Sequence, residues 1–320
     1  MTVQRAVRTK QFGMRLVRAG VLLWLVVVAG CGPGPQPSDS GLEGNGALPV
    51  AVSIPPLSSL VERIGGEQVR VDTLLAPGEG PHTFSPKPKQ VMALGKAAVY
   101  FHVGGFPFEL ELAKRIEANF PSLTVQDVSE GIGHRKKTRH QHDEENSDAH
   151  EHEEETDPHV WMSPPLLKFM AKTIAETLQH ADSSHAEAYQ GNLEETLRAL
   201  DALDGELREK LAPHEGRTFY IYHPALGYFA ERYGLEQESV EVGGKKPTPR
   251  QLQHLIEQAK EDEVPIIFVQ PQFDQRSAEA VAEAIGGEVN PLDPLRKDVF
   301  ANLREIGSKL SEVFSRENPS

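Results

Sequence analysis

Three histidines sit where short apolar runs give way to punctuated loops: His82 in Gly78–Pro86 (GEGPHTFSP), His159 in Asp157–Pro164 (DPHVWMSP) and His223 in Tyr220–Ala225 (YIYHPA). An imidazole can move a proton or ligate a metal ion. Three of them converging on one point suit a metal, and nitrogen donors favour Zn²⁺, Cu²⁺, Ni²⁺ or Fe²⁺ over the oxygen-seeking Ca²⁺ and Mg²⁺. Asp293, in Asn290–Leu295 (NPLDPL), holds an equivalent loop position and is the expected fourth ligand. Three nitrogens and one carboxylate would close a tetrahedral zinc site without cysteine, with Zn–N of about 2.0–2.1 Å.

Such loops need strands to aim them. From Pro49 onward, short apolar runs alternate with amphipathic windows. VAVSI (50–54), VRVDTLL (69–75) and the runs 98–103 and 123–128 read as strands, with helices over 56–64 and 106–120. A second series follows: strands at TFYIY (218–222), 238–242 and IIFVQ (266–270), with helices over 226–233, from Pro249, over 277–285 and over 299–314. This cadence means parallel βα units, hence an α/β fold of two lobes. Open α/β sheets bind ligands at the C-terminal ends of their strands. Two of the histidines belong to the first lobe and one to the second, which places the metal in the interlobe cleft.

Between the two series, a long helix is expected over 185–211. Leu193, Leu197, Leu200, Leu203, Leu207 and Leu211 follow at intervals of 4, 3, 3, 4 and 4, a stripe along one face. It spans fewer than four heptads, too few for a coiled-coil seam. It is expected to pack along both lobes as a rigid joint, in a monomer. The expected division is a signal segment 1–30, a tether 31–48, a first lobe 49–184, a linking helix 185–212 and a second lobe 213–320.

The chain has 13 histidines, and context sorts the rest. His180, His185 and His254 fall on polar helix faces, and His214 in the polar turn APHEG. His102 ends a strand before Gly104-Gly105, where a core role and a site role are both open. Five more, His134, His140, His142, His150 and His152, lie in Gly133–Asp157 with nine acids, four bases and no aliphatic side chain larger than alanine. That segment has no apolar face to bury and is expected to be a disordered loop that collects metal weakly.

The N-terminus reads as an export signal. Arg5, Arg8, Lys10, Arg15 and Arg18 precede an uncharged run, Ala19–Gly30, too short to span a bilayer. Val28-Ala29-Gly30-Cys31 resembles a bacterial lipobox, so Cys31 is the expected lipidation site and membrane anchor, followed by a Gly/Pro/Ser tether. Cys31 is the only cysteine, which excludes an internal disulfide framework and a cysteine zinc finger. The whole chain carries a net charge of −14; without its first 30 residues, 28 bases face 47 acids, a net −19. Such a surface repels phosphate backbones and argues against nucleic-acid binding.

Together PHTFSPKP (81–88), DPHVWMSP (157–164), HPALGYFA (223–230) and LDPL (292–295), with the His/acid-rich insert and the long helix, make the chain resemble a known family. This is the zinc/manganese class of solute-binding lipoproteins of bacterial metal-uptake ABC transporters, nearest to its zinc branch, and the likeness runs from Pro49 to the C-terminus. It implies two α/β lobes joined by a rigid helix, with Zn²⁺, or alternatively Mn²⁺, held by His82, His159, His223 and Asp293. It further implies an extracytoplasmic, lipid-anchored carrier that delivers its metal to a membrane permease and catalyses nothing. Zinc-branch members often place an acid just before the first histidine, where this chain has Pro81; Glu79 is the nearby candidate. Two other readings stand beside it: a metal-dependent adhesin, and a zinc hydrolase, against which the absence of HExxH argues.

Overall fold

The computed structural model describes residues 46–135, 156–241, 248–261, 266–273 and 275–317. Four short strands, β1 (Leu48–Val52), β2 (Val69–Thr73), β3 (Val99–His102) and β4 (Thr124–Asp127), form an all-parallel sheet in the order β2-β1-β3-β4. The second half repeats the plan with β5 (Thr218–Ile221), β6 (Glu236–Ser239), β7 (Ile266–Val269) and β8 (Glu288–Pro291), in the order β6-β5-β7-β8. The expected α/β architecture of two parallel sheets is thus what forms.

Both sheets sort their side chains with the period of two that a pleat imposes. Val50, Val52, Val99 and Phe101 face one way, with Ala51 and Tyr100 on the other side. Phe219, Ile221, Ile266 and Phe268 face one way, opposite Tyr220, Ile267 and Val269. The first set from each sheet joins a single continuous core, built with α1 (Pro55–Gly65), α4 (Pro164–Ala181), α5 (Ala186–Leu211), α6 (Gly227–Tyr233) and α9 (Val299–Glu317). The outer faces are covered separately, by α2 (Pro88–Leu94) and α3 (Pro107–Asn119) on the first sheet and by α7 (Pro249–Glu261) and α8 (Gln275–Ile285) on the second.

The long helix α5 covers 26 residues, about 39 Å at 1.5 Å per residue. Leu193, Leu200, Leu203, Leu207 and Leu211 are buried and Leu197 is half-buried, so the stripe meets the core of this chain. It packs on α1 and α4 from the first half and on α6 and α9 from the second. At Gly307 of α9, a Cβ would lie 2.4 Å from Leu207 Cδ2, so a larger residue there would have to push that buried side chain aside.

Several expectations need correction. Helix α2 and strand β8 are not among the elements given bounds from the sequence, and α4 is read there only as the helix that carries His180. The edge strand β6 forms at Glu236–Ser239 instead of 238–242, because pairing starts at Thr218↔Glu236. Leu48, assigned to the tether, is already the first residue of β1. The base of the expected loop 133–157 is built into the fold: Asp157 N donates to Arg135 O at 2.9 Å. His134 is half-buried there, its Nε2 3.4 Å from Ser129 Oγ. His140, His142, His150, His152, Cys31 and the signal segment 1–30 lie outside the described residues.

Candidate metal centre

Two strand-to-helix loops and one 3-10 turn position the three histidines. His82 lies between β2 and α2, and His223 lies two residues past the end of β5. His159 precedes the single 3-10 turn Val160–Met162, which Pro164 converts into α4 at a position where its missing N–H costs nothing. The segment Asp157-Pro158-His159 threads between two glycines. A Cβ on Gly105 would sit 2.4 Å from Pro158 Cβ, and one on Gly227 would sit 2.8 Å from Asp157 Oδ2.

The ligand atoms of His82, His159 and His223 all lie within 4.8 Å of one another. His159 and His223 are 4% and 7% exposed, and His82 is half-buried. Phe106 meets His82 edge-on at 5.1 Å, Trp161 meets His159 at 5.3 Å, and Phe273 stacks on His223 at 4.9 Å. The cavity they leave is about 20 Å³, lined also by Pro81, Ala225, Gln270, Gln272, Pro294 and Leu295. That is room for roughly one water-sized sphere.

Carboxylates settle which ring nitrogens face the cavity. His159 Nδ1 is 2.7 Å from Asp157 Oδ1, and His223 Nδ1 is 2.6 Å from Glu241 Oε1. A carboxylate only accepts, so each Nδ1 carries a hydrogen toward its carboxylate and each Nε2 is the nitrogen left to face the cavity. The two Nε2 atoms are 3.3 Å apart. With both Nε2 atoms unprotonated, two lone pairs face each other at that distance, and a proton or a metal cation shared between them would satisfy both. The edge of a tetrahedron with Zn–N near 2.05 Å is about 3.3 Å, so the donor pair already has zinc spacing. Burial raises the Asp157 carboxyl, but the hydrogen bond and charge of His159 outweigh this and hold it below its ordinary value.

The backbone is held as firmly. His159 N donates to Asp157 Oδ1 at 3.0 Å, and Tyr228 Oη donates to Asp157 O at 2.9 Å. The Gln270 amide takes both backbone groups of His223: His223 N donates to Oε1 at 3.1 Å and Nε2 donates to His223 O at 2.6 Å. Trp161 Nε1 donates to Pro294 O at 2.9 Å, tying the two halves beside the cavity.

Asp293 is not among the groups brought within 4.8 Å of one another. Its Oδ1 accepts from Gln272 Nε2 at 2.9 Å and from Leu295 N at 3.0 Å, which leaves it one hydrogen bond from the cavity wall. Glu79 is used locally, accepting from Ala76 N at 3.0 Å. His102 is a core residue whose Nδ1 accepts from Gly104 N at 3.0 Å. Glu241 was not singled out from sequence, although an acid between two valines at a strand end (Val240-Glu241-Val242) is the pattern of a buried carboxylate.

Residues 50–305 match the family described as zinc-uptake complex component A, periplasmic (ZnuA). The chain belongs to that family. A curated relative, the high-affinity zinc uptake system protein ZnuA of Paracoccus denitrificans, is 30% identical, over 78% of this chain and 87% of the relative. The manganese-binding lipoprotein MntA of Halalkalibacterium halodurans is 28% identical, over 84% and 85%. A crystal structure of ZnuA superposes with a TM-score of 0.77 at 36% identity, covering 83% of this chain and 99% of that one. The two-sheet fold with its long helix is the ZnuA fold. In this ZnuA family member, no helix among the described residues is long and apolar enough to cross a membrane.

Proposed function

We propose that this protein captures Zn²⁺ outside the cytoplasm and passes it to the membrane permease of an ABC importer. The observation that carries the reading is the His159–His223 pair, two Nε2 atoms held 3.3 Å apart in a cavity for a single ion. His82 supplies the third nitrogen, and Asp293 turns from Gln272 to supply the fourth ligand. The zinc-uptake name of the Paracoccus denitrificans relative supports the same assignment. A cavity of about 20 Å³ accepts an ion and no organic substrate, which favours a carrier over a hydrolase. The protein acts as a lipid-anchored monomer, held by Cys31, with the histidines of segment 133–157 as accessory metal ligands. Its lobes divide at the linking helix, 185–212.

Metal analysis of the purified chain, followed by competition among Zn²⁺, Mn²⁺ and Fe²⁺, tests this. One tightly held zinc per chain is expected, and tighter Mn²⁺ or Fe²⁺ binding would overturn the assignment. His223→Glu, which trades a nitrogen for oxygens, should lower the zinc-to-manganese affinity ratio without reversing the order. An unchanged ratio in the folded variant would remove His223 from the ligands.

A further inference from the structure

We propose that Glu109 is a positioning residue for the zinc site, its carboxylate fixing the turn Val103–Phe106 that supports His82 and His159. The inference rests on the zinc-capture reading and extends it. Glu109 lies in the first turn of α3 and has no solvent exposure (0%). Its Oε1 accepts from Val103 N at 3.2 Å and its Oε2 from Phe106 N at 3.3 Å, so one side chain grips both ends of the turn.

Two of the residues between those bonds, Gly105 and Phe106, touch the site or the segment that carries His159. Gly104 adopts φ +69°, and a Cβ there would lie 1.9 Å from Asp127 Oδ2. Gly105 admits Pro158, the residue before His159. Phe106 places its ring 5.1 Å from His82, 6.2 Å from His159 and 6.1 Å from Trp161. The wall behind two of the three imidazoles therefore stands where Glu109 holds it.

Among the described residues no cation pairs with Glu109. The groups facing it are the Ser53 hydroxyl, the Tyr100 phenol of β3 and the carboxylate of Asp127 at the end of β4, with His102 beside Asp127. Burial pushes the Glu109 carboxyl up to about 7, against the pull of the nearby Ser53 hydroxyl and of the hydrogen bonds from Val103 N and Phe106 N. Ionised, it accepts from both amides; protonated, one oxygen becomes a hydroxyl that confronts an N–H donor. Protonation as pH falls through 7 therefore loosens the turn and weakens zinc binding. By linkage, zinc binding near pH 7 drives part of a proton off Glu109.

Calorimetric zinc titration at pH 6.5, in buffers of differing ionisation enthalpy, gives affinity and protons released together. Four proteins are compared: wild type, Glu109→Gln, Phe106→Leu and the double variant. Glu109→Gln should lower the affinity about tenfold, the scale seen when a group supporting a metal ligand is lost, and release fewer protons per zinc. The double variant should bind no more weakly than the weaker single variant, because both break one connection. Unchanged affinity and proton release in folded Glu109→Gln overturn the proposal, as do fully additive losses. Should Glu109→Gln not fold, Phe106→Leu decides alone: proton release equal to wild type overturns it. Lack of tight zinc binding in wild type would instead overturn the zinc-capture reading.

Discussion

His159 and His223 present their Nε2 atoms to the same point, yet they are anchored by opposite strategies. For its ring and backbone N–H hydrogen bonds His159 relies on one neighbour two residues away: Asp157 accepts both through a single oxygen. His223 spreads the same tasks over distant residues. Glu241 takes the ring, Gln270 takes both backbone groups, and Phe273 stacks on the imidazole face. A local anchor concentrates its risk in one side chain, and a dispersed anchor survives the loss of any one.

Removing either imidazole should erase that contrast. His159→Ala and His223→Ala each delete a ligand, and each should weaken zinc binding by more than about 100-fold, beyond the range for supporting groups. Competition titration on folded protein checks it. If one variant retains wild-type affinity, the 3.3 Å donor pair is not the binding unit.

The anchors themselves should separate the two histidines. Asp157→Ala frees the ring and backbone N–H of His159 at once, and a loss approaching 100-fold is expected. Glu241→Ala frees only the ring of His223, whose backbone remains on Gln270, so about tenfold is expected. The measurement is the ratio of the two zinc dissociation constants. Equal losses, or the reverse order, would show that the distributed anchor offers no protection.

The same contrast explains what sequence could show. The Asp157–His159 unit is contiguous, so the motif DPHVWMSP carries ligand and support together. Glu241 and Gln270 reach His223 across separations of 18 and 47 residues, which no spacing rule encodes. The buried strands β3 and β7 were legible because VYFH and IIFV are continuous runs of buried side chains. The edge strand β6, sequence EQES, exposes or half-exposes three of its four residues and gives almost no apolar signal. Helix α2 buries only Val91 and Leu94 in seven residues, too few to reveal a period. Helix α4 does carry one, with Leu167, Met170, Ala171, Ile174, Ala175 and Leu178 at helical spacing, so it was within reach of pattern alone. Asp293 shows the converse limit. Sequence offers its loop position as that of a ligand, but its side-chain direction comes from partners such as Gln272, which only the fold supplies.

The smallest expected effect concerns the tie between the two anchoring schemes. Trp161 follows His159 closely in sequence, packs against its ring at 5.3 Å, and donates its indole N–H to Pro294 O in the other half of the chain. Trp161→Phe keeps an aromatic ring against His159 but leaves the buried Pro294 carbonyl without that donor. A lost buried hydrogen bond of this kind costs about 1 kcal/mol, which in a chain of this size lowers Tm by roughly 2–4 °C. Zinc affinity should change less than in Glu241→Ala, because neither imidazole loses a partner. Thermal unfolding with and without zinc separates the two readouts. A fall in affinity larger than that of Glu241→Ala would mean that the cross-chain tie, and not the carboxylate on each ring, sets the spacing of the two nitrogens.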